Sequence, residues 1–220
     1  MNYFSHFVFD HIPQNAEYNC GLLLPDITRK TIKKFYQPNS KIELSSFHVE
    51  FLNGCLKHYE SDKKFHSSDF FNNHYAILNH QISHTGKFKN VERKWFISHV
   101  VLELLIDRVI VRYDQSLLDN FYFSLKNTDE INLSFFLKFY GMKNIDDFFM
   151  FFNHFRSTQY IYHYTDNIKF MYSLNRIMMR ANVKELTQND SQAILDIILN
   201  FELKYFSNPV KMLNEMKEIF

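Results

Sequence analysis

Two helical segments of the sequence each carry metal-ligand side chains that repeat every four residues. The first ladder is His58, Asp62 and His66, and the second ladder is His99, Glu103 and Asp107. Because four residues advance an α-helix by about 400°, residues i and i+4 lie on one face, about 6 Å apart. Imidazole suits transition metals and carboxylate suits Mg²⁺ or Mn²⁺. The spacing therefore indicates a candidate metal site.

The second ladder lies in a strongly apolar segment, residues 100–111. An unpaired charge there would cost several kcal/mol, so Glu103 and Asp107 need compensation. A metal, a neighbouring base such as Arg108, or a position at the helix edge would each provide it. Asp107 is the weakest candidate ligand, because Arg108 and Arg112 follow it closely. The alternative for both ladders is a surface ion pair worth roughly a few tenths of a kcal/mol.

Two residues near the start of the chain are further candidates. His6 sits among four aromatic residues of the first nine, and Asp26 directly follows the apolar run LLLP. A histidine in that setting is more often a hydrogen-bonded core residue. An aspartate after an apolar run is often only a helix cap or a turn residue.

The shortage of turn residues determines the expected fold class. The 220 residues include only 4 Gly and 4 Pro, but 25 Phe and 13 Tyr. Rossmann and P-loop sites need glycines in phosphate-binding turns, and β-sandwiches and barrels need turn residues about every 8–12 positions. The composition predicts an all-α protein, a single compact helical domain spanning residues 1–220, with about eight to ten helices.

Charge and hydropathy exclude several classes of protein. The net charge of +1 argues against a dedicated nucleic-acid-binding protein. No apolar run approaches the roughly 18 residues that a membrane span needs, and MNYFSHFVFD lacks the basic region of a signal peptide. Cys20 and Cys55 do not make a disulfide framework. We expect a reduced, cytoplasmic setting, and the oligomeric state stays open.

Hydrophobic spacing and cap residues predict the helices that must position the candidate ligands. Short helices are predicted over 1–11, 17–24 and 28–35, and longer ones over 47–65, from 67–69 to 84, and over 91–113. The last of these is apolar on most of its circumference and is therefore expected to be central and longest. Further helices follow, including one over 158–182, one capped by Thr187, and a last one that begins at Pro209.

The order of these residues resembles the acyl carrier protein phosphodiesterase family, also called holo-acyl carrier protein hydrolases, a distant relative of the HD-domain metal phosphohydrolases. The matching segments are MNYFSH with His6, GLLLPDITRK with Asp26, GCLKHYESDKKFH with Gly54, His58, Asp62 and His66, SHVVLELLIDR with His99, Glu103 and Arg108, and LNRIMMR with Leu174, Asn175 and Arg180. Each motif is short, and their shared order over about 180 residues carries the resemblance.

The resemblance implies an HD-domain-like all-α fold and a divalent metal, Mn²⁺ or Mg²⁺, with Fe or Zn as alternatives. It implies hydrolysis of the phosphodiester that joins 4′-phosphopantetheine to a carrier-protein serine. The expected metal ligands are His6, Asp26, His58, Asp62, His99 and Glu103. Asp26 or His66 would be the general base. Arg29, Lys30 and Arg180 would bind the phosphate.

The sequence departs from the family pattern at three positions. His66, His99 and Glu103 stand where the family has aspartates, although all three can bind metal. The chain could therefore have a re-tuned metal site, a different substrate or no activity. The basic residues that follow Asp26 could steer an acidic carrier protein or another phosphate ester to the site, or could form a solvated helix face. Rival functions are a nucleotide phosphohydrolase of the wider HD type and a non-catalytic helical protein.

Overall fold

The structure is a computed structural model that describes residues 1–38, 45–84 and 91–220. These residues form twelve α-helices, one 3₁₀ helix and no β-strand. The helices are α1 Tyr3–Asp10, α2 Ala16–Gly21, α3 Leu24–Thr28, α4 Ser46–Ser67, α5 Asp69–His84, α6 Lys94–Tyr113, α7 Gln115–Lys126, α8 Glu130–Phe139, α9 Ile145–Thr158, the 3₁₀ helix Tyr160–Thr165, α10 Asn167–Arg180, α11 Gln188–Tyr205 and α12 Pro209–Lys217. The all-α prediction is confirmed, with more helices than expected.

Polar side chains cap the first turns of many of these helices. The Asp129 carboxylate accepts hydrogen bonds from the backbone N–H groups of Ile131 and Asn132 at the start of α8. Thr187 caps α11 in the same way, as its sequence position predicts. Such caps satisfy N–H groups that have no partner within the helix. No helix in the described parts of the chain is both long and apolar enough for a membrane span.

Helix α6 lies at the centre of the fold, as predicted. It packs against α1, α5, α7, α10, α11, α12 and the 3₁₀ helix. Its buried side chains cover most of the circumference, because neighbours surround it on nearly every side. The buried apolar side chains of the protein form one connected cluster around it. The longest helix, however, is α4 with 22 residues, whereas α6 has 20.

Two glycines let α2 and α4 approach closely. A Cβ atom on Gly54 would lie 2.1 Å from the Tyr18 carbonyl oxygen and 2.8 Å from the Gly21 Cα. A Cβ atom on Gly21 would lie 2.3 Å from the Phe51 carbonyl oxygen. The contact brings the Leu22 carbonyl oxygen within 2.8 Å of Nδ1 of His58, one turn beyond Gly54. The two glycines therefore help to position a candidate metal ligand.

The prediction of a helix over 28–35 is wrong. Helix α3 ends at Thr28, whose hydroxyl donates to the Leu24 carbonyl, and residues 29–38 contain only turns and irregular backbone. Ile32 and Phe35 are nevertheless buried, and the Phe35 N–H donates to the Tyr59 hydroxyl. Their spacing of three resembles a helical face. The two side chains instead enter the core from irregular backbone.

The helix predicted over 158–182 is interrupted. Gln159 adopts a left-handed conformation with φ of 48°, which ends α9. The 3₁₀ helix follows, and Asp166 then starts α10 by accepting a hydrogen bond from the Lys169 N–H. The apolar pattern continues through this break because the 3₁₀ helix also packs against α6.

We expect Gly54→Ala to lower the free energy of unfolding by at least about 2 kcal/mol, because the added methyl group meets rigid backbone on α2. Urea unfolding followed by circular dichroism measures the change. Asn53→Ala is the matched control, since Asn53 is exposed on the same helix. Equal stability of the two variants would contradict the close contact.

Candidate metal centre

The structure places five of the six predicted metal ligands, along with His66, in two groups rather than one, and the sixth, Asp62, lies between the groups. The inner group is His6 of α1, Asp26 of α3 and His58 of α4. The outer group is His66 of α4 with His99 and Glu103 of α6. In each group the ligand atoms lie within 4.8 Å of one another. His58 and His66 are eight residues apart, which is about 12 Å along a helix, so they cannot bind the same cation.

Packing fixes the tautomer of His58. Its Nδ1 lies 2.8 Å from the Leu22 carbonyl oxygen, which can only accept, so Nδ1 carries the proton. Nε2 then presents its lone pair 3.8 Å from Oδ1 of Asp26. A histidine ligand held by a backbone carbonyl in this way is typical of protein metal sites.

The His6 ring is fully buried and stacks on His58, with ring centroids 3.9 Å apart. Neither ring nitrogen of His6 has a hydrogen-bond partner among the described residues. Burial, with His58 beside it, lowers the pKa of His6 well below its usual value, so the ring is neutral. A buried imidazole without a partner is costly, and a bound cation would supply the missing contact.

Asp62 lies between the two groups. Its Oδ1 is 3.9 Å from Nε2 of His6 and 3.3 Å from Nδ1 of His66. Burial alone would raise the pKa of the Asp62 carboxyl. The hydrogen bond from His66 and the ammonium group of Met1 hold that pKa below its usual value. The ionised carboxylate therefore lies within reach of both groups and would help to hold a cation in either of them.

In the outer group, three potential acceptors converge. Nδ1 of His66 donates to the backbone carbonyl of Asp62, at 2.9 Å. Nε2 of His66 lies 3.1 Å from both Nε2 of His99 and Oε1 of Glu103, and these two atoms are 2.9 Å apart. Three lone pairs this close need a proton or a cation among them. Burial lowers the pKa of His66, but hydrogen bonds to Asp62 and Glu103 raise it to about 9, so a proton fills this place without metal.

The α-amino group of Met1 is a positive charge that sequence reasoning missed. Its nitrogen lies 2.6 Å from Oδ1 of Asp62 and 3.2 Å from Oε1 of Glu103. The Met1 side chain is 1% exposed. Burial lowers the pKa of the amine, but Glu103 and Asp62 outweigh this effect and raise it. The two carboxylates thus already hold a cationic group.

Asp10 is a second residue that sequence reasoning missed. Its buried Oδ2 lies 3.8 Å from Nδ1 of His6, and its Oδ1 lies 3.4 Å from Nζ of Lys57. The carboxylate lies behind His6, where carboxylates often stand behind histidine ligands, but 3.8 Å is too long for a hydrogen bond to the ring. The signal was available, since His6 and Asp10 have the same i,i+4 spacing as the ladders.

The predicted base and phosphate-binding residues fall around a cleft of about 410 Å³, here called the Asp26 cleft. Asp26, Lys30 and Arg180 line it. The Asp26 side chain is 31% exposed, and burial raises the pKa of its carboxyl. Arg29 is exposed, and the described lining of this cleft does not include it. The structure therefore places two of the three expected phosphate-binding residues beside the inner group.

Asp107, the last member of the second ladder, lies outside both groups. Its buried carboxylate accepts hydrogen bonds from Nδ2 of Asn2, at 2.6 Å, and from the Ser5 hydroxyl, at 2.5 Å. Arg108 does not compensate it, because the guanidinium pairs with Glu202 at 3.2 Å instead. Burial raises the pKa of Asp107 to about 7. Its role is to hold the start of the chain against α6.

The chemistry of the donor atoms fits a divalent metal. The two groups and Asp62 offer four imidazoles, from His6, His58, His66 and His99, and three carboxylates, from Asp26, Asp62 and Glu103. The imidazoles favour Fe or Zn over Mg, which prefers oxygen ligands and water, and the carboxylates suit Mn. The partnerless nitrogens of His6 are the clearest sign that a ligand belongs here.

No protein-family model matches the chain, and neither a curated protein nor a solved structure matches it. The resemblance to acyl carrier protein phosphodiesterases therefore stays a prediction from the motifs.

We expect Mn²⁺ or Zn²⁺ to raise the thermal unfolding midpoint of the wild-type chain by several °C over a chelator-treated sample, because the metal binds only the folded state. Asp62→Asn and His99→Ala should weaken binding by at least about tenfold, because each removes a donor atom. Both side chains are part-exposed, so the fold should tolerate the changes.

Asp196→Asn is the matched control for Asp62→Asn, because Asp196 is an exposed carboxylate on α11. It should retain the full shift in unfolding midpoint. An unchanged wild-type midpoint with every divalent metal would overturn the metal centre.

We expect the stability contributed by Asp107 to depend on pH. Its pKa is raised from 3.8 in the unfolded chain to about 7 in the fold, so folding favours the protonated form. That contribution is complete below about pH 4 and is lost as the pH rises to about 7. Between pH 5 and 8, the wild-type free energy of unfolding should fall by on the order of 2 kcal/mol relative to Asp107→Asn.

Chemical denaturation of both proteins in chelator at each pH measures this difference. Asp196→Asn should follow the wild type across the range. Parallel curves for the wild type and Asp107→Asn would show that Asp107 does not titrate in the folded chain.

Proposed function

We propose that this protein is a metal-dependent phosphodiester hydrolase. The observation that carries the proposal is the buried His6, whose two ring nitrogens have no described partner and whose ring stacks on a second candidate ligand, His58. Both face the carboxylates of Asp26 and Asp62. A cleft lined by Lys30 and Arg180 opens at the same place.

The two groups would hold the metal, with Asp62 between them. A divalent cation bound there lowers the pKa of a coordinated water and neutralises charge on the phosphoryl oxygens. Burial keeps His6 neutral, and the Leu22 carbonyl holds the His58 ring in place, so neither ring needs to rearrange to bind a cation. His66 and Glu103 would exchange their shared proton for a cation.

Asp26 is the better candidate for the general base. It faces the cleft, whereas His66 is enclosed in the outer group and is protonated at neutral pH without metal. Burial raises the pKa of Asp26 toward the working pH, which strengthens a carboxylate as a base. Asp26 would take a proton from the attacking water, whose oxygen bonds to phosphorus while the P–O bond to the ester oxygen breaks. The departing ester oxygen would take a proton from solvent, and Asp26 would lose its proton to solvent afterwards.

Lys30 and Arg180 would bind the remaining phosphoryl oxygens. Arg180 can donate two parallel N–H bonds to a phosphate, whereas Lys30 acts as a point charge. Lys30 lies just after α3 and Arg180 ends α10, so two distant segments of the chain each bring one cation to the cleft.

The motif resemblance supports a specific substrate, the phosphodiester between 4′-phosphopantetheine and a carrier-protein serine, and an HD-domain-like arrangement of ligands on helices. An acidic carrier protein would meet the exposed Lys30, which lines the cleft, and the exposed Arg29 that precedes it in the chain. This would give Arg29 a role at the protein surface and outside the cleft. Water attack would yield the carrier with a free serine hydroxyl and release 4′-phosphopantetheine.

We expect the Mn²⁺-loaded protein to release 4′-phosphopantetheine from holo-acyl carrier protein. Asp26→Asn should lower kcat by about a hundredfold or more, because it removes the base. Arg180→Ala should mainly raise KM, by about tenfold, because it removes a charged phosphate contact. Lys211→Ala, an exposed lysine on α12, should match the wild type.

Mass spectrometry of the carrier protein detects the loss of the arm. Nucleotides offered in parallel test the rival phosphohydrolase activity. Hydrolysis of nucleotides with no release of the arm would replace the carrier-protein substrate. Metal binding without hydrolysis of either class would contradict the enzymatic proposal.

A further inference from the structure

A second cleft continues from the Asp26 cleft past Arg180. This distal cleft has a volume of about 440 Å³ and shares Phe151 and Arg180 with the Asp26 cleft. One face of α10 forms one wall, and α9 and the 3₁₀ helix form the others. Neither the ladders nor the proposed hydrolysis uses the cleft beyond Arg180.

The charged side chains that line the distal cleft among the described residues are all basic or histidine. Lys169, Arg176 and Arg180 line it, and no Asp or Glu lines it among the described residues. Nor does any carboxylate in the described ranges lie within ion-pair distance of these three side chains. The distal cleft therefore attracts anions, and three uncompensated cations match a phosphate dianion better than a single negative charge.

The other walls are aromatic. Phe155 and Tyr160 pack edge to face with centroids 5.4 Å apart, and Tyr172, which is 65% exposed, adds an aromatic ring on the α10 wall. The Tyr160 hydroxyl is already paired with the Tyr3 hydroxyl at 2.6 Å, so its ring is fixed. A flat ring can stack on such side chains, and arginine guanidinium groups also stack on rings. These walls suit a planar apolar group better than a hydrated ion alone.

We propose that the distal cleft binds an organic phosphate attached to a planar ring, of the nucleoside monophosphate class. The phosphate lies among Lys169, Arg176 and Arg180, and the ring lies against Tyr172 and Phe151. Because Arg180 also lines the Asp26 cleft, the bound phosphate sits next to the proposed hydrolytic site. The binding itself needs no metal, so it stands or falls independently of the hydrolase proposal.

Isothermal titration calorimetry with adenosine 5′-monophosphate, in chelator, tests the proposal on the full chain. The chelator removes the metal centre from the measurement. We expect the nucleotide to bind at least about tenfold more tightly than either inorganic phosphate or adenosine, because each of these lacks half of the contacts. Laurate serves as an apolar anion without a ring.

The variants assign the binding to the distal cleft. Arg176→Ala should weaken nucleotide binding about tenfold to a hundredfold, through loss of a charged contact. Tyr172→Ala should weaken it about tenfold, through loss of ring stacking. Both residues are exposed, so the fold should survive, and circular dichroism checks this. Lys211→Ala should bind as the wild type does.

Three results would overturn the proposal. The nucleotide could bind no more tightly than phosphate, laurate could bind in preference to the nucleotide, or Arg176→Ala and Tyr172→Ala could bind as tightly as Lys211→Ala. Loss of metal-dependent hydrolysis with nucleotide binding retained would instead refute only the hydrolase.

Discussion

The candidate metal site depends on the hydrogen bonds of the buried Asp107 carboxylate. This carboxylate accepts hydrogen bonds from Asn2 and Ser5, and it lies on the central helix α6, where most of the other buried side chains are apolar. These bonds fix the start of α1 across α6. Since His6 directly follows Ser5, the same bonds set its ring against His58. The buried carboxyl group of Asp107 is tolerated in the core because its two hydrogen bonds offset part of the free-energy cost of removing it from water.

The four-residue spacing of the ladders serves two tasks. On α4 it spreads His58, Asp62 and His66 over about 12 Å, too far for one cation but suitable for two groups with a carboxylate between them. On α6 the same spacing places Glu103 in the outer group, and it places Asp107 where its carboxylate accepts hydrogen bonds from the start of the chain. The same four-residue spacing therefore places both the candidate ligands and the Asp107 carboxylate that holds α1 beside them.

Without metal, protons and the Met1 ammonium take the place of cations. The ammonium lies between Asp62 and Glu103, and the proton on His66 is shared with Glu103. Both arrangements keep the pKa of these carboxyls low, so they stay ionised despite burial. His6 has no such substitute, because burial keeps it neutral and its nitrogens lack described partners. The charges of the candidate site are thus nearly balanced, whereas the His6 nitrogens have no hydrogen-bond partner among the described residues.

Most of the fold and the membership of the site could be predicted from local signals. The scarcity of glycine and proline indicated helices, and the ladders together with the motif order indicated His6 and Asp26 as partners of α4 and α6. Local signals failed where core packing overrode them. Ile32 and Phe35 reach the core from irregular backbone, although their spacing resembles a helical face.

The sequence by itself determined which side chains share a helix face, because i,i+4 spacing is a property of one helix. Only the tertiary structure decided which faces meet. The contact between Gly21 and Gly54 sets how closely α2 approaches α4, and so which carbonyl orients His58. The division of the ligands into two groups, the place of Met1 between them and the cationic cleft along α10 arise from contacts between distant segments. Such contacts depend on packing in three dimensions, which no periodicity within a single helix specifies.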